Sequence, residues 1–327
     1  MPLALDVSIE SWPIRGGFAI SRGAKTEAVV VVAILSDGVA RGRGECVPYA
    51  RYGESPESVA AALNAMTPAL AAGLTREALQ RAMPPGAARN ALDCAFWDLD
   101  AKRERRPVHE LAGLPTPGPL TTALTVSLGS PEAMAVAAAR AAHRTLLKIK
   151  LGADGDPERI AAVRAAAPNA TLIVDANEGW TDANLETNLA ACAVAGVTLV
   201  EQPLPAARDA ALATIARPVR LCADESVHDR ASLSGLAGKY DAINIKLDKT
   251  GGLTEALAMA ADAVNRGFTI MTGCMVATSL AIAPAVLLAQ TAQFVDLDGP
   301  LLLDRDRPDG LVYRDSLVFP ATPALWG

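Results

Sequence analysis

The sequence predicts an α/β fold, a parallel β/α barrel preceded by a compact α+β unit. Three observations carry this. Apolar strand patterns recur about every 25 residues from residue 122 onward, each followed by an alanine-rich amphipathic stretch, the rhythm of a parallel barrel. Most of those strands end in a charged residue. The first 115 residues show strand patterns followed by helical ones, closed by Pro115, Pro117 and Pro119.

In chain order, Leu3 to Ile14 reads as a strand stopped at Gly16-Gly17, and Phe18 to Lys25 as a mobile loop. Thr26 to Leu35 is β-branched and apolar, Ser36-Asp37-Gly38 is a turn, and Val39 to Val47 returns, giving an antiparallel three-stranded meander. Ser55 caps a helix that has Pro56 in its first turn and runs towards Leu70. A second helix spans Ala87 to Lys102, with Ala91, Cys94, Ala95 and Leu99 on one face. The barrel strands begin near Thr122, Leu146, Thr171, Val197, Arg220, Tyr240, Phe268 and Gln293. Eight repeats favour closure over a doubly wound open sheet, and no G-x-G-x-x-G follows the first strand. Gly310 to Phe319 reads as strand structure returning to the first unit.

Composition narrows the function. The 327 residues suit a barrel with a small added domain. A net charge of −6 argues against nucleic acid as a partner, and Arg103 to Arg106 reads as a solvated helix end. No charged start precedes an apolar core, so no secretory signal is expected, and no apolar run reaches the ~18 residues of a membrane span. Five scattered cysteines without a C-x-x-C pair suit a reducing cytoplasm. His109, His143 and His228 lie apart, so zinc is not expected. Oligomeric state is left open, a homo-oligomer included.

Strands buried on both faces should be apolar throughout. Here the second ends Lys148-Ile149-Lys150, the third Val174-Asp175, the fourth Val200-Glu201, the fifth Ala223-Asp224-Glu225, the sixth Ile245-Lys246 and the eighth Asp296-Leu297-Asp298. The C-terminal mouth of such a barrel is where catalysis is placed. Asp175, Glu201 and Asp224 come from adjacent strands, and three converging carboxylates call for a hard cation such as Mg²⁺. Period-two alternation turns Lys148 and Lys150 inward together, and Lys246 faces them from across the axis. A substrate carbon between them can lose a proton on one face and regain it on the other. Mg²⁺ on the substrate carboxylate stabilises the enediolate, and a lysine whose pKa is lowered serves as base. Asp296 and Asp298 share a side and would repel a dicarboxylate but suit an ammonium group. Lys249 reads as part of a helix start and Cys274 as a pocket wall, with no histidine partner to make it a nucleophile. The seventh strand ends without charge at Thr272-Gly273.

The motifs LKIKLG (147–152), VDANEGW (174–180), VEQPL (200–204), ADES (223–226) and NIKLDKTGG (244–252) together resemble the muconate-lactonising subgroup of the enolase superfamily, over nearly the whole chain. The resemblance implies an α/β fold made of a (β/α)7β TIM-like barrel (116–304) under an N-terminal α+β capping domain (1–115, completed by the tail at about 305–327). It implies Asp175, Glu201 and Asp224 as ligands of one Mg²⁺, and Lys150 and Lys246 as the acid/base pair assisted by Lys148. Glu225 would hydrogen-bond Lys246, and Asn177 would stand behind the ligands. The D-x-D of Asp296 and Asp298 is similar to that of dipeptide epimerases, where it binds the substrate's ammonium. Arg22 resembles the arginine that reads a glutamate side chain, and Arg51-Tyr52-Gly53-Glu54 the second loop of the cap, which puts Tyr52 in contact with substrate. The expectation is thus a Mg²⁺-dependent epimerase acting on the C-terminal residue of a dipeptide such as L-Ala-D/L-Glu, in the recycling of cell-wall peptides. Muconate cycloisomerase, o-succinylbenzoate synthase and N-acylamino acid racemase chemistry are the alternatives the shared core leaves open.

Overall fold

The computed structural model describes residues 2–327. Its first part is an antiparallel sheet of order β1-β2-β3, formed by β1 (Ala4–Ile20), β2 (Gly23–Ser36) and β3 (Arg41–Cys46). Gly16-Gly17 does not end the first strand. The two glycines take φ of 70° and 80° and form a bulge between Pro13 and Phe18, after which Phe18 pairs with Lys25 and Ile20 with Gly23. The segment 18–25, expected as a loop, is therefore the paired tip of a long hairpin.

Five helices follow: α1 (Pro56–Asn64), α2 (Thr67–Ala71), α3 (Arg76–Ala82), α4 (Ala87–Glu104) and α5 (Val108–Leu111). Ser55 caps α1 by accepting from Ser58 N–H. The helix stops at Asn64 and not near Leu70, because a continuous helix would drive the Pro68 ring into the Asn64 carbonyl. Val31, Ala33 and Leu35 of β2 pack with Val59, Leu63, Leu92 and Leu99 to form this part's core. α4 lies tight on β3, whose Gly42 and Gly44 face its backbone at Ala95 and Ala91.

β4 (Leu120–Thr121) precedes the barrel proper, a sheet in consecutive order from β5 (Leu124–Val126) through β6 (Leu146–Lys150), β7 (Thr171–Asp175), β8 (Val197–Glu201), β9 (Arg220–Ala223), β10 (Ala242–Ile245) and β11 (Thr269–Gly273) to β12 (Phe294–Asp296). Its pairings are parallel. The circle is drawn closed where Ala123 N–H donates to Val295 O at 2.9 Å and Thr125 N–H to Asp298 Oδ2 at 2.6 Å. Outside pack α6 (Pro131–Arg140), α7 (Asp156–Ala166), α8 (Leu185–Val194), α10 (Leu253–Asn265) and α11 (Ser279–Leu288), while α9 (Leu247–Thr250) is a buried turn directly after β10, against α4. Two crossovers are not the expected α-helices but 3₁₀ turns, Ala206–Ala213 and Arg230–Gly235. The first lies between Pro203, Pro205 and Pro218, too short a run to offset the cost of helix nucleation.

The tail divides. β13 (Tyr313–Arg314) pairs with β14 (Leu317–Val318) and β14 with β4, beside the barrel and not, as expected for 310–319, in the first unit's sheet. The last residues reach α4, where Trp326 Nε1 donates to Cys94 O and Gly327 N–H to Asp98 Oδ1.

Candidate active site

The barrel interior is built in layers. Ala123, Leu146, Ile173, Leu199, Cys222, Ala242 and Met271, with Phe294 against them, make one apolar cluster, a single residue from each strand or its start. Two residues further along, alternation returns to the same face. There stand Lys148, Asp175, Glu201, Asp224, Asn244, Gly273 and Asp296, the six side chains among them all buried. One step higher again come Lys150, Lys246 and Asp298, also buried. The apolar floor fixes the strands, and the layer above it carries charge.

The lysines and carboxylates interlock. Lys150 Nζ donates to Asp175 Oδ2 at 2.6 Å, and Lys246 Nζ to Asp224 Oδ2 at 2.7 Å. Lys148 Nζ sits among three carboxylates, at 3.1 Å from Asp175, 2.6 Å from Glu201 and 2.7 Å from Asp296. Burial favours neutral lysine, but Asp296, Glu201 and Asp175 outweigh it and raise Lys148 well above its ordinary value; Asp224 and Glu201 do the same for Lys246. For Lys148 and Lys246 the expected fall in pKa is thus reversed while the carboxylates face them. Glu201 is pushed up to about 7 by burial and by Asp175. Asp298 also rises to about 7, through burial and Asp296.

The mouth opens into a cavity of about 780 Å³, walled by both parts of the chain. Phe18, Arg22, Lys25, Tyr49 and Tyr52 line it from the N-terminal part; Lys150, Lys246, Cys274, Asp296 and Asp298 line it from the barrel. Tyr52 stands edge-on to His228, ring centroids 4.7 Å apart. Arg22 Nη1 is 2.8 Å from Glu225 Oε1 and donates to Asn177 O at 2.8 Å, while Nη2 donates to Tyr49 OH at 2.9 Å. Glu225 therefore pairs with Arg22 and not, as expected, with Lys246. Asn177 meets the site through its backbone: its N–H donates to Asp175 Oδ1 and its carbonyl accepts from Ser21 and Arg22.

Residues 132–322 match the family description "Enolase C-terminal domain-like", and residues 4–113 match "Mandelate racemase / muconate lactonizing enzyme, N-terminal domain". The chain belongs to the enolase superfamily. Within that superfamily it is 50% identical over 299 residues to L-Ala-D/L-Glu epimerase of Escherichia coli, covering 91% of this chain and 93% of the relative. It is 44% identical over 300 residues to N-acetyl-D-glutamate racemase of a Pseudoalteromonas species, covering 91% and 95%. The crystal structure of an enolase family member from Agrobacterium tumefaciens, with homology to dipeptide epimerases and holding sodium, L-Ala-L-Glu and an ordered loop, superposes with a TM-score of 0.98 at 57% identity over 100% of both chains. The curated relatives are epimerases and racemases, and the chain is an isomerase of their kind. No helix among the described residues is long and apolar enough to cross a membrane.

Among the described residues no three His, Cys, Asp or Glu side chains are gathered at ligand spacing; each of the three strand-end carboxylates is turned to a lysine. The donor set nonetheless fits the Mg²⁺ of the superfamily. Asp175 and Glu201 are partners in the β7–β8 register, Asp224 follows on the next strand, and all three offer hard oxygen. Glu201 Oε2 is buried 2.6 Å from the Lys148 ammonium but out of hydrogen-bond geometry with it. Two further polar residues, to which the sequence assigned no role in the site, join the cluster. Asn244 Nδ2 donates to Glu201 Oε1 at 2.7 Å. Its signal was alternation, two residues before Lys246, but it carries no charge. Lys249 lies in the helical turn α9, as expected, and is buried with its ammonium 2.5 Å from both Asp224 Oδ1 and Asp224 O. The uncharged end of β11 also has a reason: Gly273 leaves the room that the Asn244 amide fills.

Proposed function

We propose that this chain epimerises a dipeptide at the α-carbon of its C-terminal residue, with L-Ala-D/L-Glu as the preferred substrate, in the cytoplasm. The observation that carries the reading is the opposition of Lys150 and Lys246. They project from β6 and β10, four strands apart in an eight-stranded barrel, with the carboxylate cluster between them. Mg²⁺ held by Asp175, Glu201 and Asp224 would supply the Lewis acidity that makes a proton next to a carboxylate removable. The chain's own side chains do the rest. One lysine takes the α-proton from one face and the other delivers a proton to the opposite face, which inverts the carbon. Each must be neutral to act as base, so the carboxylates now holding them as ammonium ions must find their positive charge elsewhere. Lys148 adds a fixed cation to the same cluster. Asp296 and Asp298 draw in the substrate's ammonium, and Arg22 exchanges Glu225 for the side-chain carboxylate of the C-terminal residue, beside Tyr52.

Racemisation of an N-acyl-glutamate is the second reading, favoured by the likeness to N-acetyl-D-glutamate racemase. It uses the same lysines but brings no ammonium to the D-x-D. Proton NMR in D₂O separates the two. With Mg²⁺, L-Ala-L-Glu should lose its C-terminal α-proton signal, yield the diastereomer and stop on chelation. Exchange of N-acetyl-glutamate alone would install the second reading, and exchange of neither would sink both.

A further inference from the structure

We propose that Arg89, on the first turn of α4 and 4% exposed, is a positioning residue for Lys246. Its guanidinium reaches across to the barrel and, among the described residues, donates to backbone carbonyls and pairs with no carboxylate. Nη2 donates to Thr250 O at 2.6 Å and Nε to Gly251 O at 3.1 Å, while Nη1 donates to Gln80 O and Met83 O at 3.1 and 3.2 Å. One planar fork thus ties two carbonyls at the end of α9 to two carbonyls at the C-terminal end of α3.

α9 is a single turn, and Lys246 is the residue that begins it. The N–H groups of Lys249 and Thr250 donate to Lys246 O. The turn is short enough that its two ends move as one body. Neighbours of Arg89 complete the mount: Asn90 Nδ2 and Val47 N–H donate to Asp248 Oδ1, and Asp93 accepts from Thr254 N–H and Oγ1. Gly251 and Gly252 belong to the same contact. A Cβ on Gly251 would lie 2.4 Å from Arg89 Nε, and one on Gly252 2.5 Å from Asp93. Thr250-Gly251-Gly252, at the far end of the turn from Lys246, is therefore a docking surface for α4. Lys150 has no such tie, since it stands on β6, within the barrel's own ladder.

The inference rests on the two-lysine reading above, and its test keeps the failures apart. Deuterium exchange into each epimer of Ala-Glu is followed with K150A and K246A, which assign each lysine to one epimer. R89K and G251A are then measured per folded enzyme, with folding checked by circular dichroism. A lysine in place of Arg89 cannot serve four carbonyls on two elements. In both variants exchange of the epimer assigned to Lys246 should fall by about ten- to hundredfold relative to the other epimer, and inversions per exchange should fall with it. Equal losses for both epimers would overturn the proposal, as would failure of both variants to fold, which would make Arg89 a stability residue alone. If K150A and K246A show no epimer asymmetry themselves, the two-lysine reading fails first.

Discussion

At Gly273 an alanine Cβ would lie 2.6 Å from Asn244 Oδ1, and something must shift. The amide is held on its other side by Glu201, at 2.7 Å, so the shift falls on that bond. Groups that orient a metal's ligands typically change affinity ten- to a hundredfold, and Gly273→Ala should weaken Mg²⁺ binding by roughly that range in calorimetry. Unchanged affinity would free Glu201 from either its dependence on Asn244 or its assignment as ligand. Arg22 gives a test of substrate choice. A hydrogen bond to a charged group contributes about 1.5–3 kcal/mol, so Arg22→Met should raise KM for L-Ala-L-Glu by roughly ten- to a hundredfold, and that for L-Ala-L-Leu far less. Parallel changes in both would remove the arginine from side-chain recognition. Strand alternation makes Asp175, Glu201, Asp224 and the lysines legible as one inward face. The same rule places Asn244 there, but the residue carries no charge to mark it among the apolar strand residues. The partner of Glu225 was not legible at all, because it depends on a hairpin tip about 200 residues away in sequence being folded down over the barrel.

Elements in this chain are set by what they must lie against as much as by propensity. α4 is the clearest case. Its Ala91 and Ala95, named from the sequence as one face, turn out to meet β3 at glycines: a Cβ on Gly44 would stand 2.0 Å from the Ala91 carbonyl oxygen. Backbone cannot swing aside as a side chain does. Gly44→Val should therefore cost about 3 kcal/mol or more, at the upper end of overpacking penalties, and lower the urea midpoint clearly. A cost under about 1 kcal/mol would mean that helix and strand can separate locally, and that the close approach does not hold α4 in place. Periodicity alone found the helix and the strand, but their separation is a tertiary fact. The same limit explains the first of the two crossovers read as helices: alanine content favours a helix, while the prolines that bound 203–218 shorten the run that could build one.

For the molecule as a whole, the seam between the N-terminal part and the barrel holds a group whose ionisation the fold opposes. Asp248 lies buried there, and burial raises its carboxyl to about 7 against the hydrogen bonds from Val47 and Asn90 that lower it. The folded chain then holds this proton more tightly than the unfolded one, whose aspartate titrates near 3.9. Stability from this group is therefore complete below about pH 4 and is lost as pH rises towards 7, by up to about 4 kcal/mol at the upper end. Asparagine in its place keeps Oδ1 as acceptor for both donors and does not titrate. Asp248→Asn should match the native chain in urea unfolding near pH 4 and exceed it at pH 8, the gap opening between those values. A gap that stays constant with pH would mean that water reaches the seam and screens the carboxylate. A growing gap would mean that the two parts are joined over a dry polar contact. The turn bearing Lys246 crosses that contact, so the stability of the seam and the placement of the lysine would then respond to the same substitution.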